Sequence, residues 1–156
     1  MPITRDSIRQ ITDSVGSGSP DWTNLLSEIL RIFDCTTGTI HVLDRTTNML
    51  LLKAQKGIPD GLLVKVSAIP VGKGMAGIAA QRREAIQICN LQTDESGIAK
   101  PSARETKVEG SIALPLLYGG EVYGTLGIAK RIPYEFSSDE IIALEEIAQA
   151  ISKRIS

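Results

Sequence analysis

Apolar residues recur at helical spacing in three stretches of the chain. In each stretch the large apolar side chains fall on one stripe, which is typical of a helix that lies on a core. The predicted helices cover residues 4–15, 20–34 and 138–155. The Gly-Ser-Gly-Ser segment at 16–19 predicts a flexible linker. We therefore expect an N-terminal helix and linker over 1–18, followed by one domain over 19–156.

Capping signals predict where two of these helices begin. Ser19 is the expected N-cap of the second helix, with Pro20 as its first helical residue. Ser137 and the glutamate three residues later form a capping box for the last helix. Beside the main apolar seam of that helix, Ile142 and Ile147 form a second strip. This strip indicates either further core contact or contact with a partner.

The most apolar stretch, residues 110–131, is predicted to form the central hairpin of a sheet. Its two apolar runs meet at a Gly-Gly pair, 119–120. Two adjacent glycines favour a two-residue turn because glycine accepts the positive φ angles that the turn requires. Alternation in the second run predicts that Val122, Leu126 and Ile128 share one face.

Shorter runs predict three more strands. Those over 36–43 and 49–55 are joined by a polar turn and form a second predicted hairpin, and 85–89 is a separate strand. Residues 62–69 fit either a short strand or a helical turn. The polar segment 90–109 has no regular pattern, and connections of this length are often binding loops or lids.

The predicted class is therefore α+β, with a mostly antiparallel sheet. We expect the terminal helices on one face of the sheet and the lid on the other. The glycine segment 72–77 opens a short helix, and although it matches the pattern G-x-G-x-x-G, we do not expect a dinucleotide site. Pro70 interrupts the preceding strand, and the following elements are hairpins rather than further βαβ units.

Composition excludes several partners. The chain has 156 residues, 42% of them apolar and 22% charged, as in an ordinary globular domain. The net charge of −1 and the lack of a basic block argue against nucleic acid. No apolar run approaches the roughly 20 residues that span a bilayer, so no membrane contact is expected. The start of the chain has no secretory pattern, which predicts a cytoplasmic protein.

The residue types that usually carry chemistry are few. Cys35 and Cys89 have no CxxC or metal-like spacing and are predicted to be reduced thiols. His41 is the only histidine, and no acidic or cysteine residues are arranged around it in sequence. We expect a core histidine rather than a metal ligand there. The sequence thus predicts no metal site and no catalytic residue.

Four segments, in this order and spacing, resemble the GAF domain family. They are Pro-Val-Gly-Lys-Gly-Met-Ala-Gly at 70–77, Ile-Gln-Ile-Cys-Asn at 86–90, Ser-Ile-Ala-Leu-Pro-Leu with Gly-Glu-Val-Tyr-Gly-Thr-Leu-Gly over 111–127, and Phe-Ser-Ser-Asp-Glu at 136–140. The resemblance implies a sheet of about six strands, terminal helices that often form a dimer, and a lidded pocket for a small molecule. Known ligands include cyclic nucleotides, chromophores, haem and metabolites, so the cofactor of this chain is unknown from the resemblance.

Departures from the family's motifs argue against two of these ligands. Members that bind cyclic nucleotides carry Asn-Lys, then Phe, three residues and Asp-Glu. Here Ala129 stands in place of the Asn, and the spacing between Phe136 and Asp139 is one residue short. Members with a covalent bilin attach it to a lid cysteine that is commonly followed by His. Cys89 is followed by Asn90 and no cysteine occurs in 90–109, so no covalent bilin is expected.

The family also includes thiol enzymes that reduce free methionine sulfoxide. That chemistry requires an accessible thiolate and normally a second, resolving thiol. Residues 107–111 lack the cysteine that these enzymes place before the central hairpin. We therefore predict that the chain is not an enzyme and keep the reductase as an alternative.

The leading hypothesis is a sensory or regulatory GAF module in signal transduction that binds a small molecule and dimerises through its terminal helices. Ordering of the lid would pass through the sheet to those helices. A structural dimerisation domain with a degenerate pocket is the other alternative. The candidate ligand-binding residues of pocket and lid are His41, Met75, Ile88, Asn90, Asp94, Glu95, Ser96, Arg104 and Ser111.

Overall fold

A six-stranded antiparallel sheet organises the fold. The computed structural model describes residues 4–15, 20–99, 104 and 106–156. The strands are β1 Thr37–Asp44, β2 Met49–Lys56, β3 Ala68–Pro70, β4 Ile86–Ile88, β5 Ser111–Tyr118 and β6 Glu121–Ala129. They lie in the order β3-β2-β1-β6-β5-β4, and each neighbouring pair is antiparallel. The hairpin of β5 and β6 lies inside the sheet, as predicted.

Helices cover both faces of the sheet, which confirms the predicted α+β class. The helices are α1 Arg5–Ser14, α2 Trp22–Phe33, α3 Leu63–Ser67, α4 Gly74–Arg82 and α5 Ser138–Ile155. Buried residues of α1, α2 and α5 form one large core with one face of the sheet. The other face meets α3, α4 and the described part of 90–109. No helix in the described ranges is both long enough and apolar enough to cross a bilayer.

The central hairpin turns where the sequence predicts, but one side chain lies on the unexpected face. Gly119 and Gly120 both have positive φ, 60° and 80°. The pairing of β5 with β6 then shifts by one residue, so that Tyr123 has no partner in the register. This bulge inverts the alternation, and the predicted face of Val122 is therefore wrong. Val122 packs against Leu50 rather than in the helix-covered core.

Two predictions about helix starts have different outcomes. The capping box of α5 is present, with Ser137 accepting from the Glu140 amide at 3.1 Å. α2 begins two residues later than predicted, at Trp22, with Asp21 as its N-cap. The Asp21 carboxylate accepts from the Asn24 amide at 3.1 Å, and its charge also suits the positive end of the helix dipole. The predicted cap Ser19 and the linker 16–19 lie outside the described residues.

The second apolar strip of α5 does not form one surface. Ile147 is fully buried in the core, whereas Ile142 is 56% exposed. The buried residues of α5 follow the sheet-facing side of the helix and include Leu144 and Ile151. Ile147 therefore serves the core, and Ile142 alone of this strip faces outward.

Candidate functional site

A cavity of about 440 Å³ lies on the face of the sheet opposite the terminal helices. Its floor is formed by β1, β5 and β6. One wall is α3 with the 3₁₀ turn Asp60–Leu62 before it, and the other is the start of α4. Leu91, Ala99, Thr106 and Val108 from the described part of 90–109 complete the lining. This volume falls within the range of about 300–1,000 Å³ that is usual for small-molecule sites.

The floor is open because the strand register aligns small side chains. Odd-numbered residues of β1, β6 and β5 point to the same face in two cross-strand rows. The rows are Thr37, Ala129 and Ser111, and then Thr39, Gly127 and Ala113. A Cβ at Gly127 would stand 3.3 Å from Thr39 Oγ1, so the absence of a side chain deepens the floor at its centre.

The loop before α4 is tight enough to bring the start of that helix over the floor. Gly72 has a φ of 95°, and its amide donates to the Gly77 carbonyl at 2.7 Å. A Cβ on Gly77 would overlap the Pro70 carbonyl oxygen. Close packing of backbone thus explains why glycines occupy this G-x-G-x-x-G pattern.

The polar groups of the cavity are sparse. The charged side chains among the described lining residues are those of Lys65 and Lys73, and both lysines are exposed. Ser111 on the floor is 6% exposed, and its Oγ has no hydrogen-bond partner among the described residues. Most of the remaining surface is apolar, as in sites that orient a small ligand with a few polar groups.

The comparison with known families agrees with this architecture. The family model of the GAF domain matches residues 23–156. The chain belongs to the GAF domain family. No curated protein matches the sequence.

Several solved structures have the same fold at low sequence identity. The GAF domain of the Acinetobacter phosphoenolpyruvate-protein phosphotransferase has 21% identity and a TM-score of 0.81, with 96% of this chain and 90% of that chain covered. The Coxiella burnetii counterpart has 19% identity and a TM-score of 0.82 at the same coverage, 96% and 90%. Free methionine-R-sulfoxide reductase from Neisseria meningitidis, solved with its substrate, has 21% identity and a TM-score of 0.77, covering 96% and 86%.

His41 links one wall of the GAF pocket to the sheet by a hydrogen bond. Its Nε2 lies 2.8 Å from the carbonyl oxygen of Val66, at the end of α3. Because a carbonyl only accepts, Nε2 carries the proton and Nδ1 is bare in the neutral ring. His41 is 1% exposed, and Nδ1 has no partner among the described residues. Burial lowers the pKa of His41, so the ring is neutral at pH 7.

This arrangement predicts a loss of stability in mild acid. The pKa of His41 in the folded state is lowered from its ordinary value of 6.5. As pH falls below about 6.5, the unfolded chain therefore takes up the proton first, and the free energy of unfolding falls by up to about 1.4 kcal/mol per pH unit from this group. His41→Gln keeps an amide donor for Val66 but does not ionise. Urea unfolding between pH 7 and pH 5.5 should show the steeper decline in the wild type, and parallel curves would contradict a buried neutral imidazole.

Two of the nine predicted ligand residues line the pocket. Met75 comes from the first turn of α4, and Ser111 from the floor. Ile88 is buried beneath Met75 in a small cluster with Leu91 and Val108. His41 is not a lining residue, because its side chain hydrogen-bonds to α3.

The predicted polar residues of the lid bond mainly within the lid. Asn90 Oδ1 accepts from the Gln92 amide at 3.0 Å. Arg104 donates to the Asp94 carbonyl at 2.6 Å, and Ser96 Oγ donates to the Asp94 carboxylate at 2.6 Å. Glu95 is exposed. These five predicted residues shape the described part of the lid and are not among the lining residues, so a ligand role for them stays a prediction.

Neither of the chain's two cysteines lines the cavity. Cys35 follows α2 and packs against the core on the opposite face of the sheet, where burial raises the pKa of its thiol to about 12. Cys89 is exposed at the end of β4. Within the described residues, no group of three His, Cys, Asp or Glu side chains is placed to hold a metal ion.

Proposed function

We propose that the protein is a sensory or regulatory GAF module of the cytoplasm that binds a small molecule and has no enzymatic activity of its own. The observation that carries this proposal is the open cavity of about 440 Å³ between the sheet and its lid. A degenerate pocket filled by apolar side chains would leave no such volume. The match to the GAF family supports the same function, because the family's usual role is ligand-dependent regulation.

A cavity-filling variant tests the proposal. In Gly127→Val a branched side chain, which suits a strand, would enter the floor of the cavity. A thermal-shift screen with a set of metabolites should find compounds that raise the Tm of the wild type and leave that of Gly127→Val unchanged. At a concentration of 100 Kd the stabilisation would be about 2.7 kcal/mol, which corresponds to a shift of several degrees.

The control for this screen is Lys53→Val, which places the same new side chain at an exposed position of β2. It should respond to ligands as the wild type does. If no compound shifts the Tm of the wild type, a structural dimerisation domain becomes the better interpretation of this protein. Hydrogen exchange in 90–109 should slow when a ligand is bound, because the proposal assigns this segment the role of lid.

The reductase is the second candidate function, favoured by the likeness in fold to the Neisseria enzyme. The position of both cysteines outside the lining supports the non-enzymatic proposal. Incubation with free methionine sulfoxide and dithiothreitol should give no reduction above the thiol background. Turnover that is lost in Cys89→Ser would establish the enzyme instead.

We also propose a homodimer through the terminal helices. α1 and α5 contact each other on one side of the molecule, and the exposed Ile142 lies on α5. Sedimentation equilibrium measures the association, and a monomer at every concentration would contradict it.

A further inference from the structure

We infer that the GAF pocket is selective for anionic small molecules, whose charged group lies at the start of α4 beside Lys73 and Lys65. This inference rests on the proposed function, because it names the class of ligand for the same cavity. Three independent features of the pocket support it.

The first feature is the uncapped N-terminus of α4. The N-cap residue, Lys73, has no side chain that accepts a hydrogen bond from the helix. The first amide that donates back into the turn is that of Gly77, which bonds the Lys73 carbonyl at 3.1 Å. The amides of Gly74, Met75 and Ala76 precede it and have no intrahelical acceptor. All three residues line the cavity, so the positive end of a nine-residue helix faces the ligand space.

The second feature is the sign of the side-chain charges around the cavity. Lys65 belongs to the α3 wall and Lys73 to the α4 wall. Neither lysine forms a salt bridge with a described residue, and the described lining contains no aspartate or glutamate. The nearest acidic residue along the α3 wall is Asp60, at the start of the 3₁₀ turn, and it is not a lining residue. Two ammonium groups and a helix N-terminus, with no counterion among the described residues, give this part of the cavity a positive potential.

The third feature is the buried hydroxyl of Ser111. Its Oγ has no partner among the described residues although the side chain is 6% exposed, and a buried unpaired polar group is costly. Ser111 lies on the floor of the cavity, where a polar atom of the ligand would satisfy it. Around these polar points the walls are aliphatic, with Leu62, Ile69 and Val108 among the lining.

Together these features define the chemistry of the ligand. One end carries a carboxylate or a phosphate, which accepts from the α4 amides and pairs with the lysines. The rest is a compact apolar body that lies on the small residues of the floor. Both anions use the same donors, so the experiment must separate them.

Matched pairs of acid and amide test the inference on the full chain. We would measure the Kd of hexanoate and phenylacetate by titration calorimetry, and compare them with hexanamide, phenylacetamide and phenyl phosphate. Each acid should bind at least about 10-fold more tightly than its amide, and raising the salt should weaken only the acids. If phenyl phosphate binds more tightly than phenylacetate, the site prefers phosphates. If phenylacetate binds more tightly, the site prefers carboxylates.

The double variant Lys65→Met/Lys73→Met locates the charge recognition. Both side chains are exposed and unpaired among the described residues, so the fold should persist. The variant should bind the acids about 10-fold more weakly and should keep its affinity for the amides. Lys53→Met, on the exposed side of β2, should behave as the wild type.

Equal affinities for acid and amide, or a double variant with unaltered acid binding, would overturn the inference. If neutral compounds bind in the Gly127-dependent manner while the acids do not, the anion preference fails and the proposed function stands. If no compound of either kind binds, the anion preference fails, and the metabolite screen with Gly127→Val decides the proposed function separately.

Discussion

The Gly124→Ala variant should lose about 3 kcal/mol of its free energy of unfolding. A Cβ at this position would overlap the carbonyl oxygen of His41 and would lie 3.1 Å from both the His41 carbonyl carbon and Leu116 Cδ1. Gly124 pairs with Val42 in the interior of the sheet, so the colliding backbone is held by ladder hydrogen bonds on both sides. Overpacking typically costs about 1–3 kcal/mol, and we expect the upper end here because backbone atoms as well as side chains must move.

Gly127→Ala is the matched control on the same strand. There the new methyl group would meet a side-chain atom, Thr39 Oγ1 at 3.3 Å, and otherwise borders the cavity. We expect a loss below about 1 kcal/mol, since only the side chain of Thr39, which lines the cavity, has to adjust. Urea unfolding of both variants at pH 7 gives the comparison. Equal stabilities would mean that β1 yields to the Gly124 methyl group, and the close approach of the two strands would then not constrain the fold.

Local signals in the sequence account for the parts of the fold that were predicted correctly. The Gly-Gly pair at 119–120 specifies its own turn, and the box at Ser137 specifies the start of α5. Such signals act within a few residues and need no knowledge of the remaining chain. The bulge at Tyr123 is different, because it depends on how β5, β6 and β1 pack together. Strict alternation therefore misplaced Val122.

The composition of the pocket depends on tertiary register, which explains why few of its residues were predicted. Polarity predicts lid residues such as Asp94 and Arg104 as ligand contacts, but in the folded chain the Arg104 side chain donates to the Asp94 carbonyl. Lys65 lies in a segment, 62–69, whose pattern fits a strand or a helical turn equally well, and it folds as α3 followed by β3. Lys73 lies in the glycine loop that the sequence predicts. Two signals in the sequence point to it as a pocket residue: it stands directly before the first helical residue, and its side chain cannot cap the helix.

Lys130→Met should destabilise the protein by about 3 kcal/mol. The Lys130 ammonium donates to the carbonyls of Phe33 at 2.7 Å and Asp34 at 3.0 Å, at the end of α2. These carbonyls are among those that a helix C-terminus leaves unpaired, and hydrogen bonds to charged groups contribute about 1.5–3 kcal/mol each. The same ammonium lies 4.5 Å from the centre of the Tyr134 ring. Methionine keeps most of the aliphatic stem of the 8% exposed side chain, so the variant isolates the loss of the charged group.

The position of Lys130 in the sequence also raises the question of a ligand role. Lys130 occupies the lysine position of the motif that cyclic-nucleotide-binding GAF domains carry, yet its ammonium is engaged at the end of α2, whose buried residues pack on the opposite face of the sheet from the cavity. Lys53→Met, at an exposed site on β2, should leave the urea midpoint unchanged. If Lys130→Met also left stability unchanged but altered ligand affinity, Lys130 would have to be a ligand residue. If stability falls and the binding of the acids is unaltered, Lys130 is instead a structural residue that joins α2 to the sheet. The lysine of the motif would then have a structural role that does not depend on cyclic-nucleotide binding.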